Sequence, residues 1–286
     1  MKRYSFAAFR CRLAILFLFW GIAARAQLVG PAEGTLIIAG GGRLPDTVLH
    51  AFIQAAGGVD APIVVIPTAG GAATYTEDEG QLLRKLGARN VTVCHTYDRA
   101  VANTEDFYRP IRKARGIWFS GGRQWRLVDA YAGTGAEEAF HEVLRNGGVI
   151  GGTSAGATIQ GDYLVRGDTR NNTILMGDHE KGFAFLKNVA IDQHVLVRNR
   201  PFDLFEVLEA HPGYLGIGLD EGTAIRVQKD TFDVIGRSYV LMYDGALWSR
   251  EGNETTKLPL GSRAFYFLKE GDRYSLSTRQ VLLSRP

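Results

Sequence analysis

Five short apolar runs organise the first half of the chain: Thr35–Ala39, Pro62–Pro67, Val91–Cys94, Gly116–Ser120 and the run that opens at Val149-Ile150. Segments with helical spacing lie between them, at Pro45–Ala56, Glu77–Leu86, Asp106–Ala114, Gln124–Tyr131 and Ala136–Arg145. Apolar runs of four to six residues closed by turn residues suit strands buried on both faces. Their alternation with helices predicts βαβ units in a mainly parallel sheet. Glycine-rich turns follow Ala39, Pro67 and Ser120, where such sheets bind ligands, at the carboxyl ends of strands. Val189–Asp192 and Leu215–Leu219 read as two further strands, with a helix at Phe202–Glu209 between them. From Ala224 the apolar period drops to two, and Asp244-Gly245 and Gly271-Asp272 mark turns, so antiparallel strands extend or cap the sheet. The expected fold is α/β, a three-layer sandwich with a mainly parallel central sheet and C-terminal antiparallel strands. Two stretches read as loops, a long one at Gly161–Phe185 near the site and a polar one at Trp248–Ser262.

Residues 1–26 carry the marks of a secretory signal peptide: Lys2, Arg3, Arg10 and Arg12, an apolar run Leu13–Ala24, and Ala24-Arg25-Ala26 as an A-x-A cleavage site. That leader predicts export, to the periplasm or the medium, with no stable membrane association after cleavage. The run is short for a membrane span. Residues 27–286 then form one catalytic domain, of which 224–286 is a β-rich extension. The leader holds five basic residues and no acids, so its loss turns the formal charge from +3 to −2. The basic balance is therefore no argument for a nucleic-acid partner. Of two cysteines, Cys11 leaves with the leader. Cys94 alone can form neither an intrachain disulfide nor a cysteine-based zinc site, and its apolar run places it in the core.

The run at Val149 continues as Gly151-Gly152-Thr153-Ser154-Ala155-Gly156-Ala157, which contains G-x-S-x-G. That pattern puts a serine hydroxyl on a sharp strand-to-helix turn, with free N–H groups behind it. A serine hydroxyl is a weak nucleophile that needs a base, and the base needs an orienting group. Three of the six histidines follow Ser154. His179 lies in the polar loop and reads as solvated, and His211 precedes Pro212-Gly213 at a helix end that it can cap. His194 directly follows a predicted strand, on the expected sheet edge of Ser154. Glu221 and its neighbour Asp220 both follow a strand end, and either carboxylate could orient the imidazole. The order serine, histidine, acid differs from that of the common α/β-hydrolases.

GGTSAGA (151–157), SGGRQWRL (120–127), DQHVLVRNR (192–200) and LDEGTAI (219–225) resemble the cyanophycinases, as does GDRYSLSTR (271–279). These relatives of peptidase E have a class I glutamine-amidotransferase-like fold. The resemblance implies a triad of Ser154, His194 and Glu221, choosing Glu221 over Asp220. It implies that Gln124, Asp192, Gln193, Arg198 and Arg200 line the substrate cleft. It also implies a homodimeric serine exopeptidase that splits cyanophycin, a polyaspartate bearing arginine on each side-chain carboxyl, into β-aspartyl-arginine. Arg198 and Arg200 would take substrate carboxylates, while Asp192 or the acids of the long loop would take guanidinium groups. Ala155 and Gly121 or Gly122 would supply the oxyanion-hole N–H groups. This chemistry requires no metal and no cofactor.

The chain departs from that pattern twice. Asp203 stands where the family usually has a third arginine, and Arg123 stands where an acid often precedes the cleft glutamine. Two other readings stay open, a same-fold peptidase for isoaspartyl or N-terminal aspartyl peptides, and a secreted binding protein without catalysis.

Overall fold

The computed structural model describes residues 29–252 and 254–282. The leader expected over residues 1–26 lies outside them. In chain order the elements are β1 (Thr35–Ala39), α1 (Asp46–Ala56), β2 (Ile63–Ile66), α2 (Gln81–Lys85), β3 (Val91–Val93), α3 (Arg99–Ala102), α4 (Glu105–Arg112), β4 (Gly116–Phe119), α5 (Trp125–Tyr131) and α6 (Gly135–Arg145). There follow β5 (Val149–Thr153), α7 (Ala155–Thr158), β6 (Val189–Gln193), α8 (Leu204–Ala210), β7 (Leu215–Leu219), β8 (Thr223–Gln228), β9 (Thr231–Gly236) and β10 (Tyr239–Tyr243). The chain closes with β11 (Ala246–Trp248), β12 (Thr255–Lys257), β13 (Tyr266–Lys269), β14 (Arg273–Ser275) and β15 (Gln280–Leu282).

Nine strands make the central sheet, in the order β15-β14-β9-β8-β1-β5-β4-β2-β3. Its half from β1 to β3 is parallel, as the alternation of strands and helices requires. Its other half is antiparallel, beginning where β8 pairs with β1. Alternate side chains sort to opposite faces. Ile37, Ile63, Val65 and Trp118 meet Leu49, Phe52 and Ile53 of α1 on one face. Leu36, Ile38, Val64, Ile66 and Phe119 join Leu127 of α5 and Phe140 of α6 on the other. At roughly 25 cal/mol per Å² of apolar surface, this two-sided burial is the main stabilising term.

The second half of the chain departs from the expected layout. β6 and β7 do not join the central sheet. They pair in parallel in a separate four-stranded sheet, β13-β10-β7-β6, whose Ile191, Ile217 and Met242 pack into the same core as Leu36 and Ile38. Its opposite face is covered by Leu204, Phe205 and Val207 of α8 and by Tyr163 and Val165 of the long loop. The polar stretch expected to be a loop holds the β11-β12 ribbon. The helix expected over Glu77–Leu86 starts as a 3₁₀ turn at Glu77–Gly80 and becomes α-helical at Gln81. Among the described residues no helix is long and apolar enough to cross a membrane.

Candidate active site

Ser154 caps α7 at φ 56° and ψ −112°, a left-handed conformation that costs a non-glycine residue about 1–3 kcal/mol. The neighbouring glycines make the turn possible. A Cβ on Gly152 would lie 2.2 Å from the Gly156 carbonyl oxygen, so no larger residue fits there. As the first residue of α7, Ala155 has an N–H with no intrahelical acceptor. Gly121 lies alongside, where an added Cβ would stand 3.4 Å from Ser154 Cβ.

Ser154 Oγ lies 2.9 Å from His194 Nε2, and His194 Nδ1 lies 2.5 Å from Glu221 Oε1. The three groups come from three separated segments and meet above the end of β1. The carbonyls of Ala39, Gly40 and Gly41 accept, in turn, the N–H groups of Ser154 (3.0 Å), His194 (3.0 Å) and Gly222 (3.0 Å). One tripeptide therefore holds the backbone behind each member of the relay. Gly41 sits at φ 118°, and a Cβ there would fall 2.2 Å from His194 Cε1, so the imidazole rests on bare backbone. His194 is itself left-handed, at φ 56°.

Asp220 has a different task from Glu221. Its Oδ1 accepts the N–H groups of Leu196 (3.0 Å) and Val197 (3.1 Å), and its Oδ2 accepts Ser238 Oγ–H at 2.6 Å. It fixes the turn that follows His194.

Burial holds the His194 imidazole below the ordinary histidine value, and the Arg198 and Arg200 cations lower it further, against the opposing pull of Glu221. The ring is therefore neutral at pH 7, with Nδ1–H donated to Glu221 and Nε2 free to accept from Ser154 Oγ–H. Arg198→Gln removes one of those cations. The acid limb of Ser154 labelling by a fluorophosphonate, followed against pH, is expected to move to higher pH in that variant. An unmoved limb would remove Arg198 from the electrostatics of the base.

The residues expected to line the cleft divide. Arg198 is exposed and Arg200 half-buried, both close enough to act on His194. Gln124 is 1% exposed and its Nε2 donates to the Val165 carbonyl at 2.7 Å, which braces the long loop. Asp192 is completely buried, with both oxygens on the Arg166 guanidinium, and cannot reach a substrate cation. Gln193 is buried as well. Of the four acids of the long loop, three accept hydrogen bonds within the protein and Glu180 is exposed. Asp162 accepts the Asn188 N–H, Asp168 those of Arg170 and Asn171, and Asp178 that of Thr169. His179, expected to be solvated, instead sits between Asp129 (2.8 Å) and Asp178 (3.0 Å). Burial opposes its protonation, but the two carboxylates outweigh burial and raise its pKa. His211 ends α8 as expected, and Cys94 is buried.

Among the described residues, three of the eight buried side-chain polar atoms without a partner belong to residues at or near the relay. They are Thr153 Oγ1, Gln193 Oε1 and Arg200 Nη1. Each such atom costs about 1–3 kcal/mol, and two of these residues adjoin Ser154 and His194. Among the described residues no group of three or more His, Cys, Asp and Glu side chains is placed to hold a metal ion. A half-buried serine–imidazole–carboxylate relay at a helix N-terminus is equipped for acyl transfer.

The fold and this relay define a hydrolase-like α/β protein, and comparison with known proteins narrows the class. The sequence pattern of peptidase family S51 matches residues 36–235. A cyanophycinase from Geminocystis herdmanii is 34% identical over 245 residues, covering 82% of this chain and 90% of that one. Another from Synechococcus elongatus is 34% identical over 247 residues, covering 82% and 76%. A solved peptidase from an acI-B1 actinobacterium shares the fold at a TM-score of 0.61, with 22% identity over 87% of this chain and 98% of that one. The chain belongs to peptidase family S51 and is a serine-type peptidase.

Proposed function

We propose that the protein is an exported peptidase that hydrolyses cyanophycin to β-aspartyl-arginine, with Ser154 as nucleophile, His194 as general base and Glu221 as the group that orients it. The observation that carries this reading is the relay itself, Ser154 Oγ to His194 Nε2 at 2.9 Å and His194 Nδ1 to Glu221 Oε1 at 2.5 Å. The substrate follows from relatives named cyanophycinase that align over most of both chains. Ser154 Oγ attacks the aspartyl carbonyl while His194 takes its proton. The N–H of Ala155 and that of Gly121 or Gly122 receive the developing oxyanion; losing one such donor typically costs about 10²–10³ in rate. The C–N bond then breaks, and the leaving amine takes the proton from His194. Water, deprotonated by His194, attacks the acyl-enzyme and releases the acid and free Ser154. Arg200, with its unpartnered Nη1, and the exposed Arg198 receive substrate carboxylate. The apolar leader with its A-x-A site supports export, and a homodimer completes the proposal.

Incubation with purified cyanophycin followed by mass spectrometry of the soluble products tests it. β-Aspartyl-arginine is the expected product, and an untouched polymer overturns the substrate assignment. One observation favours a second reading, a peptidase for isoaspartyl or N-terminal aspartyl peptides. Asp203 contributes an anion beside Arg166 at a position next to the cleft. β-Aspartyl and α-aspartyl dipeptides assayed alongside the polymer separate the two.

A further inference from the structure

Among the described residues the largest fully buried side chain is that of Arg166, 1% exposed, which enters from the long loop with a left-handed φ of 60°. Its Nε and Nη2 donate to Asp192 Oδ1 and Oδ2 at 2.8 and 2.9 Å. Nη2 also donates to Asp203 Oδ2 at 2.6 Å, and Nη1 to the Asn172 carbonyl at 3.2 Å. A buried ion pair is a weak source of stability, because desolvating the charges offsets their attraction. Its location gives it another use. Asp192 lies two residues before His194, and Asp203 immediately precedes α8. The segment between them carries His194, Arg198 and Arg200. One guanidinium therefore grips both ends of the segment that bears the proposed base and both cations facing the cleft.

Asp220 and the Gly40 carbonyl hold residues 194–197 of that segment, and beyond them the contacts are single. Arg200 N–H donates to the Val195 carbonyl at 2.7 Å, Asp203 N–H to the Arg200 carbonyl at 3.2 Å, and Tyr243 O–H to the Pro201 carbonyl at 2.8 Å. Arg200 also needs an electrostatic frame. Burial and the cations of Arg166 and Arg198 disfavour its charged form, while Asp192 and Asp203 favour it. Without the two carboxylates held by Arg166, three guanidinium groups would face one another unbalanced.

We infer that Arg166 is a positioning residue for the 192–203 segment, acting through Asp192 on His194 and through Asp203 on Arg200. The aspartate at 203 is thus the second anchor of the clamp. This inference rests on the proposed roles of Ser154, His194 and Arg200.

Two variants test it. Arg166→Gly suits the left-handed backbone and leaves a guanidinium-sized space. A displacement of about 1 Å in the segment costs roughly 10² in kcat/KM. The expected result is that loss, slower fluorophosphonate labelling of Ser154, and recovery of both with millimolar guanidinium but not with ethylammonium. Asp203→Asn should raise KM for an aspartyl peptide roughly tenfold while labelling stays at the wild-type rate, because the relay is intact. A purely stabilising role would lower the melting midpoint of either variant without changing KM well below it. Wild-type kcat/KM in Arg166→Gly, or a folded variant deaf to guanidinium, overturns the inference. If Arg166→Gly does not fold, Asp203→Asn decides alone, and an unchanged KM overturns the inference. A wild-type protein that neither labels nor cleaves any aspartyl peptide overturns the proposed function itself, and the inference with it.

Discussion

Replacing Ser154 by alanine is expected to lower kcat by on the order of 10⁶, as loss of the nucleophile does in other serine–histidine relays. The fold should survive. Ser154 N–H donates to the Ala39 carbonyl through the backbone, and the substitution leaves that bond in place. Alanine must still adopt φ 56°, as serine does, so the strain of the turn changes little. Among the described residues the hydroxyl's one side-chain partner is the His194 ring, and losing it leaves an imidazole nitrogen at a partly open surface. Activity and stability should therefore separate. Dipeptide release, followed by mass spectrometry, should vanish, while the thermal midpoint by circular dichroism stays within a few degrees. Release at the wild-type rate would show that another nucleophile does the work.

Glu221→Gln carries the next largest effect, a fall in kcat of about 10⁴. A glutamine amide that turns its NH₂ toward His194 Nδ1 makes that nitrogen an acceptor. The proton then moves to Nε2, the atom that must receive from Ser154. No carboxylate remains to stabilise the imidazolium. Asp220→Asn is the informative partner. Asp220 faces two backbone N–H groups and the Ser238 hydroxyl instead of the imidazole. Its loss should act mainly on stability, by roughly 1–3 kcal/mol for three charge-assisted hydrogen bonds weakened together. Parallel measurement of kcat and of urea midpoints in the two variants separates the acids. Equal kcat losses would mean that the site uses both.

Local patterning carried the parallel half of the fold and the serine turn. Runs such as Ile63–Ile66 are apolar on both faces because both faces are covered, and the glycines around Ser154 record a backbone too tight for Cβ atoms. The pairing of distant strands carries no such mark. β6 and β7 are short, open on apolar residues and are as fully buried as β1, so nothing local assigns them to a second sheet. That choice depends on which core face is still open once α5 and α6 have docked. Consequently His194 reaches Ser154 from another sheet, although its position after a strand end was evident. The ribbon pairs apolar Ala246–Trp248 with polar Thr255–Lys257, three residues each, too short to show the alternation that betrays a strand. Short α3 is too brief to show a helical period. Arg166 had no local signal at all, since a single arginine in a polar loop looks solvated until Asp192 and Asp203 are brought to it. Nor did the sequence show that Asp192 and Gln124 are both buried.

The tripeptide 39–41 has a consequence for when the protein can act. Its carbonyls receive residues 154, 194 and 222, so the relay cannot exist before the chain has been made past residue 222 and has closed back on its own beginning. A polypeptide still leaving the ribosome holds a serine with no base. The cell that makes this peptidase is thus shielded from it during synthesis by topology alone.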